Sequence, residues 1–245
     1  MKTLAVALLL LGATAFAQNP LSDSSQALVV QTKGWDDIGG VAQEYERRNG
    51  KWRRLGKPIK IAVGRTGLAW GIGIYDFGEQ SGPVKKEGDG RAPAGIFRLT
   101  ALFSANESAW RYAHMSYISL TPTTECVDDA NSASYNRIVD TNDPKLAPKS
   151  KDWNSSEHML RRDDLYDFGV YVAHNANPPK FGAGSCIFIH VLGALGRAHG
   201  TAGCTALPED DLVQLFGWLD EKKTPVLIQL PEKEYKFFRK KLAFP

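Results

Sequence analysis

The pattern of apolar and polar residues along the chain predicts a β-rich α+β fold. Asn49-Gly50 separates two segments of mixed apolar and charged residues, and this dipeptide favours a tight hairpin turn. The segment 104–165 is polar and irregular, and we expect it to form a wall of a binding cleft. Short runs rich in β-branched and aromatic residues, typical of strands, occur at residues 27–31, 58–63, 68–75, 170–173, 186–192 and 225–230.

One helix is predicted in the C-terminal part of the chain, opened by Pro208. Acidic residues in its first turn suit the helix dipole, and its apolar residues recur at helical spacing. The acidic residues are Glu209, Asp210 and Asp211, and the apolar residues are Leu212, Leu215, Phe216 and Leu219. We therefore expect a helix that packs one face on the core.

The first residues have the pattern of a secretory signal peptide over residues 1–17. Lys2 precedes an almost wholly apolar run at residues 4–13, and Ala15-Phe16-Ala17 offers small residues at the two positions that a signal peptidase reads. These small residues place the cleavage before Gln18. Because the apolar run is too short to span a bilayer comfortably, we expect no stable membrane span after processing. The prediction is export across the inner membrane to the periplasm or cell envelope.

The charge of the chain is nearly balanced, with 30 Lys and Arg residues against 27 Asp and Glu residues. Such a small basic excess argues against nucleic acid as a partner. A zinc site built from His190, His199, Cys204 and Cys186 is the metal-enzyme alternative. Their spacing fits no tight ligand pair such as Cys-x-x-Cys, so we expect no metal and no cofactor.

Cys204 is the candidate nucleophile. Two of the three cysteines of an exported chain can pair, which leaves one free thiol. Cys204 follows a glycine-rich loop and precedes the predicted helix, whose N–H groups and dipole favour a thiolate. The backbone N–H groups of Gly203 and Cys204 are the candidate donors to an oxyanion. The alternative is a buried, inert cysteine.

His190 is the candidate general base. It lies near the end of the apolar run at residues 186–192, with a loop between it and Cys204 that can fold the cysteine back over the strand end. A nucleophilic cysteine needs a base that takes its proton. The alternative is a core histidine bonded to a backbone carbonyl.

The order of residues around the cysteine resembles the signature of the L,D-transpeptidase catalytic domain family, of YkuD type. It consists of His190, a glycine-containing loop and then Gly203-Cys204. Ala202 and Ala206 depart from it, because many members have a histidine and an arginine at these two positions. Further motifs resemble the family, and in part a periplasmic branch of it, in their order over roughly residues 58–230. They are Lys86-Glu-Gly-Asp-Gly-Arg-Ala-Pro-Ala-Gly-Ile-Phe97, Cys126-Val-Asp-Asp129, Ser134-Tyr-Asn136 and Gly184-Ser-Cys-Ile-Phe-Ile-His190.

The resemblance implies a β-sandwich or barrel-type catalytic domain over residues 58–245, with a β-rich N-terminal lead-in at residues 18–57 packed on it. It also implies a cysteine acyltransferase for peptidoglycan stem peptides. Cys204 would attack the carbonyl between a diamino acid and D-Ala, and the amine of a second stem would then resolve the thioester into a cross-link. Water as the acceptor would make the protein an L,D-carboxypeptidase or endopeptidase. Loss of activity would leave a non-catalytic peptidoglycan-binding domain.

Several polar residues are candidate contacts for a zwitterionic stem peptide, because carboxylates suit its amines and arginines its carboxylates. They are Arg91, Asp128, Asp129, Tyr135, Asn136, Arg161, Arg162 and His199, and the alternative for each is an ordinary solvated side chain. Glu157, His158 and His174 have no assigned role. A disulfide between Cys126 and Cys186 would pin the polar insertion against the His190 strand, and the alternative is two separate buried thiols.

Overall fold

The computed structural model describes residues 19–245, so the predicted signal peptide at residues 1–17 lies outside the described residues. Within this range no helix is long and apolar enough to cross a membrane. The strands are β1 Gln26–Thr32, β2 Gly39–Arg48, β3 Lys51–Ala62, β4 Leu68–Trp70, β5 Ala92–Ser104, β6 Tyr117–Ser119, β7 Thr124–Val127, β8 Ile138–Asp140, β9 Ser156–His158, β10 Gly169–Val172, β11 Phe188–Val191, β12 Thr205–Leu207 and β13 Val226–Pro231. The α-helices are α1 Ala194–His199, α2 Glu209–Trp218 and α3 Glu232–Leu242, and short 3-10 segments lie at Ala109–Tyr112 and Glu221–Lys223.

Ten of these strands form one sheet that closes on itself. Their order is β10-β11-β12-β3-β2-β1-β13-β5-β4, and β6 adds to β5. Strand β5 is 13 residues long, and it pairs with β13 through residues 95–98 and with β10 through residues 99–103. Because β10 pairs with both β5 and β11, the sheet is barrel-like. The predicted β-rich fold is confirmed.

The centre of the sheet contains two parallel strands that are covered on both faces. Every residue of β13 is buried, and Gln31 is the one residue of β1 that is partly exposed. The two strands pair in register from Ala27–Val226 to Thr32–Pro231. A continuous apolar run is what a strand covered on both faces requires. Helix α3 packs on β1 and β13, and α2 packs on β10 and β11 with its predicted apolar face buried.

Strands β2 and β3 form the predicted hairpin around Asn49-Gly50. Both turn residues have positive φ, 51° and 74°, as the tight hairpin turn with left-handed residues requires. Strand β3 runs without interruption across residues 57 and 58, and it pairs with β2 on both sides of that point. The expected lead-in is therefore part of the same sheet, and the residue at which a catalytic domain begins stays a prediction.

The polar insertion at residues 104–165 carries a second sheet of three strands, in the order β8-β7-β9. A disulfide joins Cys126 of β7 to Cys186, which lies just before β11, with their Cα atoms 5.9 Å apart. The buried Asn136 amide donates to two backbone carbonyls and accepts the Cys186 N–H at 2.9 Å. The insertion is thereby held against the strand that carries His190.

A strand, and not a helix, follows Cys204 directly. Strand β12 pairs in parallel with β11, with His190 opposite Ala206, and α2 begins only at Glu209. The expected effect of a helix dipole on the Cys204 thiolate is not confirmed, because β12 separates the cysteine from the helix.

Candidate active site

Cys204 and His190 line one cleft with a volume of about 420 Å³. His190 lies on β11, and Cys204 directly precedes β12, the parallel neighbour of β11. Parallel neighbours need a crossover connection, and α1 lies in the crossover between these two strands. The topology therefore brings two residues that are separate in sequence to the lining of one cleft.

The loop before Cys204 turns through two glycines. Gly200 has φ 76°, and a Cβ there would lie 2.7 Å from backbone atoms. Gly203 has φ 154°, a conformation that strains other residues. Thr201 fastens the turn, because its Oγ1 donates to the Cys204 carbonyl at 2.7 Å and accepts the Gly203 N–H at 3.1 Å. The Gly203 N–H is thus already bonded, and the Cys204 N–H stays the predicted oxyanion donor.

The Cys204 thiol is buried and hydrogen-bonded. Its Sγ accepts the Phe188 N–H at 3.3 Å and donates to the Cys186 carbonyl at 3.5 Å. Burial, and after it the negative charge of Glu157, raises the pKa of Cys204 to about 12. At neutral pH the group is therefore a thiol.

The His190 ring is neutral, and its hydrogen bond fixes the tautomer. Nδ1 lies 2.9 Å from the Val191 carbonyl. Because a carbonyl oxygen only accepts, Nδ1 carries the proton and Nε2 keeps a lone pair. Burial lowers the pKa of His190 to about 4. The hydrogen bond to a backbone carbonyl is typical of a core histidine, but the ring also lines the cleft. A neutral ring with a free Nε2 lone pair is the protonation state that a general base needs.

The cleft walls carry charges of both signs. Lys85 is paired with Asp89 at 2.7 Å, and Arg161 is paired with Asp163 at 2.5 Å, so both cations already have carboxylate partners. The charged lining residues are Arg65, Lys85, Glu87, Asp128, Glu157 and Arg161.

Two of the predicted substrate contacts, Asp128 and Arg161, line the cleft. Arg91 does not, because its guanidinium donates to two backbone carbonyls and pairs with Asp36 at 2.7 Å. Asp129 accepts the backbone N–H groups of Asn131 in its own loop and of Asn154 in a later loop of the insertion. Both residues make structural bonds outside the cleft lining, and their contact with substrate stays a prediction.

The remaining predicted contacts also lie outside the cleft lining. Tyr135 is fully buried and donates to Glu87 at 2.5 Å, so it supports a lining residue from behind. Asn136 is bonded to backbone groups, as described above. Arg162 and His199 are exposed side chains that do not line the cleft.

Sequence reasoning missed part of the wall beside the thiol. Tyr166 is buried, donates to Glu157 Oε1 at 2.5 Å and lies edge-on to the His190 ring, with ring centroids 5.5 Å apart. Lys85 is also buried and lines the cleft. No local pattern distinguishes these residues from other tyrosines and lysines of the chain.

The other histidines and the two departures from the family pattern have clear places. His174 is fully buried between backbone groups, and His158 is exposed. Ala202 is exposed and Ala206 is fully buried opposite His190, and both line the cleft. Among residues 19–245, no group of three His, Cys, Asp or Glu side chains is placed to hold a metal ion.

The fold and the cleft define a barrel-like β domain with a cysteine and a histidine on neighbouring strands. The model of the L,D-transpeptidase catalytic domain family, YkuD, matches residues 42–228. The chain belongs to this family, whose members act on peptidoglycan. The match begins within β2, ahead of the boundary predicted at residue 58.

Two solved structures are similar to the chain. The helical cell shape determining protein Pgp2 from Campylobacter jejuni is 16% identical, with a TM-score of 0.43, over 86% of this chain and 49% of that one. Bd1075 from Bdellovibrio bacteriovorus is 12% identical, with a TM-score of 0.42, over 90% of this chain and 55% of that one. The chain thus spans about half the length of each. No curated protein sequence matches it.

Proposed function

We propose that this protein is a periplasmic L,D-transpeptidase that cross-links peptidoglycan stem peptides through a thioester on Cys204. The observation that carries the proposal is one shared cleft. Cys204, the free cysteine of the described chain, and His190 both line this cleft. The His190 ring is neutral, and because Nδ1 donates to the Val191 carbonyl, Nε2 is left with a lone pair that can accept a proton. Membership of the family supports the substrate class.

In the first half-reaction the Cys204 S–H leaves the Cys186 carbonyl and passes its proton to His190 Nε2. The sulfur attacks the carbonyl of the diamino acid, and the Cys204 N–H stabilises the oxyanion. The bond to D-Ala breaks, and the leaving amine takes the proton from His190. In the second half-reaction the amine of another stem gives a proton to His190 and attacks the thioester, and the sulfur leaves and regains that proton.

Proton transfer accompanies attack in this mechanism. Burial raises the pKa of Cys204 and lowers that of His190, and both shifts oppose a thiolate–imidazolium pair in the free protein. The base therefore acts when the substrate carbonyl is in place, and the thiol is protected from reaction in the empty cleft.

The test is mass spectrometry of the mature protein incubated with a disaccharide-tetrapeptide. We expect release of D-Ala and a thioester adduct on Cys204, both lost in Cys204→Ala. We expect His190→Ala to lower the adduct rate by at least about a hundredfold, as removal of a general base does. His114→Ala is the matched control, because this exposed histidine lies outside the cleft lining.

The product identifies the acceptor. A cross-linked dimer supports transpeptidation, and a free tripeptide assigns the hydrolytic reaction to the same cysteine and histidine. Release of D-Ala at an equal rate by Cys204→Ala, or no adduct and no D-Ala with the wild type, contradicts the proposal.

A further inference from the structure

Asp128 and Glu157 are two carboxylates of the cleft wall, and Arg161, the cation that pairs with Glu157, is shared with Asp163. Glu157 Oε1 accepts the Tyr166 hydroxyl at 2.5 Å and lies 3.7 Å from the Arg161 guanidinium. Arg161 is in turn held by two N–H bonds to Asp163. Asp128 Oδ1 is buried and has no hydrogen-bond partner among the described residues.

The two carboxylates repel each other in a partly dry site. Burial raises the pKa of Glu157, and the nearby charge of Asp128 adds to the rise. Solvent only partly compensates a half-buried carboxylate, and Glu157 shares its partner Arg161 with Asp163. A further positive charge beside these two carboxylates would therefore be favourable.

The same negative charge acts on the nucleophile. After burial, the charge of Glu157 is the strongest influence that raises the pKa of Cys204. Lys85 and Arg161 favour the thiolate, but each is already paired with an aspartate. His190 and Tyr166, both neutral, line the same cleft as Cys204. The free protein thus holds a carboxylate where it hinders its own nucleophile.

We propose that Asp128 and Glu157 bind an ammonium group of the acyl donor, and that this binding activates Cys204. A cation between the two carboxylates offsets the charge that opposes the thiolate, so the proton passes more readily from Cys204 Sγ to His190 Nε2. Tyr166 holds the Glu157 carboxylate in position through its hydroxyl. The inference rests on the proposed function, because the diamino acid of a stem peptide carries such an ammonium group.

The first arm of the test needs no substrate. Cys204 is alkylated with neutral iodoacetamide at pH 8, and the rate is followed by mass spectrometry for the wild type, Glu157→Gln and Asp128→Asn. We expect about tenfold faster alkylation of Glu157→Gln, because loss of one nearby charge lowers the pKa of the thiol by about one unit. Asp164→Asn is the matched control, since this exposed acid belongs to the same insertion and lies outside the cleft lining.

The second arm uses two acyl donors, a tetrapeptide stem and the same stem with its side-chain amine acetylated. With the wild type, acetylation should lower the rate of thioester formation by at least about tenfold, as loss of a charge-assisted contact does. With Glu157→Gln the two donors should react at similar rates. Thermal unfolding of each variant shows that it is folded, and Gln keeps an acceptor for the Tyr166 hydroxyl.

The outcomes separate the two proposals. Equal thioester rates for both donors with the wild type, or no gain in alkylation for Glu157→Gln and Asp128→Asn, overturn the inference and leave the proposed function standing. No thioester with either donor overturns the proposed function and, with it, the inferred ammonium site.

Discussion

Acidification is expected to destabilise the protein through His174, a buried histidine outside the cleft. The ring is 0% exposed, Nδ1 accepts the Ile72 N–H at 3.2 Å, and Nε2 lies 3.0 Å from the Ala183 carbonyl. Because Nδ1 accepts, Nε2 carries the single proton and donates to the carbonyl. A second proton on Nδ1 would break the bond to Ile72 and bury a charge.

The magnitude follows from the pKa. Burial is the main reason that the pKa of His174 is lowered from 6.5 to about 4. The bond to the Ala183 carbonyl opposes the shift, and the charge of Lys85 adds to it. Since the folded protein binds this proton less readily than the unfolded chain, the stabilisation is complete above pH 6.5 and is lost as the pH falls towards 4. The shift corresponds to about 3 kcal/mol.

The assay is urea unfolding at pH values from 7.5 to 4.0 for the wild type and His174→Gln, whose amide can accept from one backbone group and donate to the other. His190 titrates in the same window in both proteins, so the difference between them isolates His174. We expect this difference in unfolding free energy to shrink by about 3 kcal/mol between pH 6.5 and 4. His114→Gln, at an exposed site, should follow the wild type. Parallel profiles for the wild type and His174→Gln would refute the reasoning.

Two further predictions concern the attachment of the insertion. Asn136→Ala leaves three buried backbone groups without a partner. We therefore expect the free energy of urea unfolding to fall by about 3 kcal/mol. A change in KM with no change in stability would support the substrate contact instead. Replacing both Cys126 and Cys186 with Ser opens a loop with a sequence separation of 60. We expect the free energy of urea unfolding to fall by about 4 kcal/mol. Wild-type stability of the double variant would contradict this role of the disulfide.

The parts of the site that could be predicted have local signals. His190 lies in a run of apolar, β-branched residues, and such a run indicates a buried strand whatever surrounds it. The glycines before Cys204 indicate a tight loop, because only glycine adopts positive φ without strain. Asn49-Gly50 predicts its hairpin for the same reason. Each signal involves a few consecutive residues, so no tertiary contact is needed to interpret it.

The parts that could not be predicted depend on contacts between distant segments. Arg91 and Arg161 are chemically equivalent in sequence, yet Arg91 is held by Asp36 outside the cleft lining and Arg161 lies in the cleft wall. Tyr135 is a plausible substrate contact by residue type, but Glu87 takes its hydroxyl. An arginine or tyrosine has the same hydrogen-bonding capacity in either place, and only the fold determines which partner it finds.

The strand that lies between Cys204 and helix α2 has a mechanistic consequence. The helix signal at Pro208 is strong, whereas β12 has three residues, too few to show an alternation of their own. A helix at Cys204 would favour a thiolate in the resting protein. The strand instead places the sulfur against the Phe188 N–H and the Cys186 carbonyl, buried, where the thiol form is favoured. Lys85 and Arg161 favour the thiolate but are each paired with an aspartate, so a cation of the bound substrate beside Asp128 and Glu157 would supply further activation.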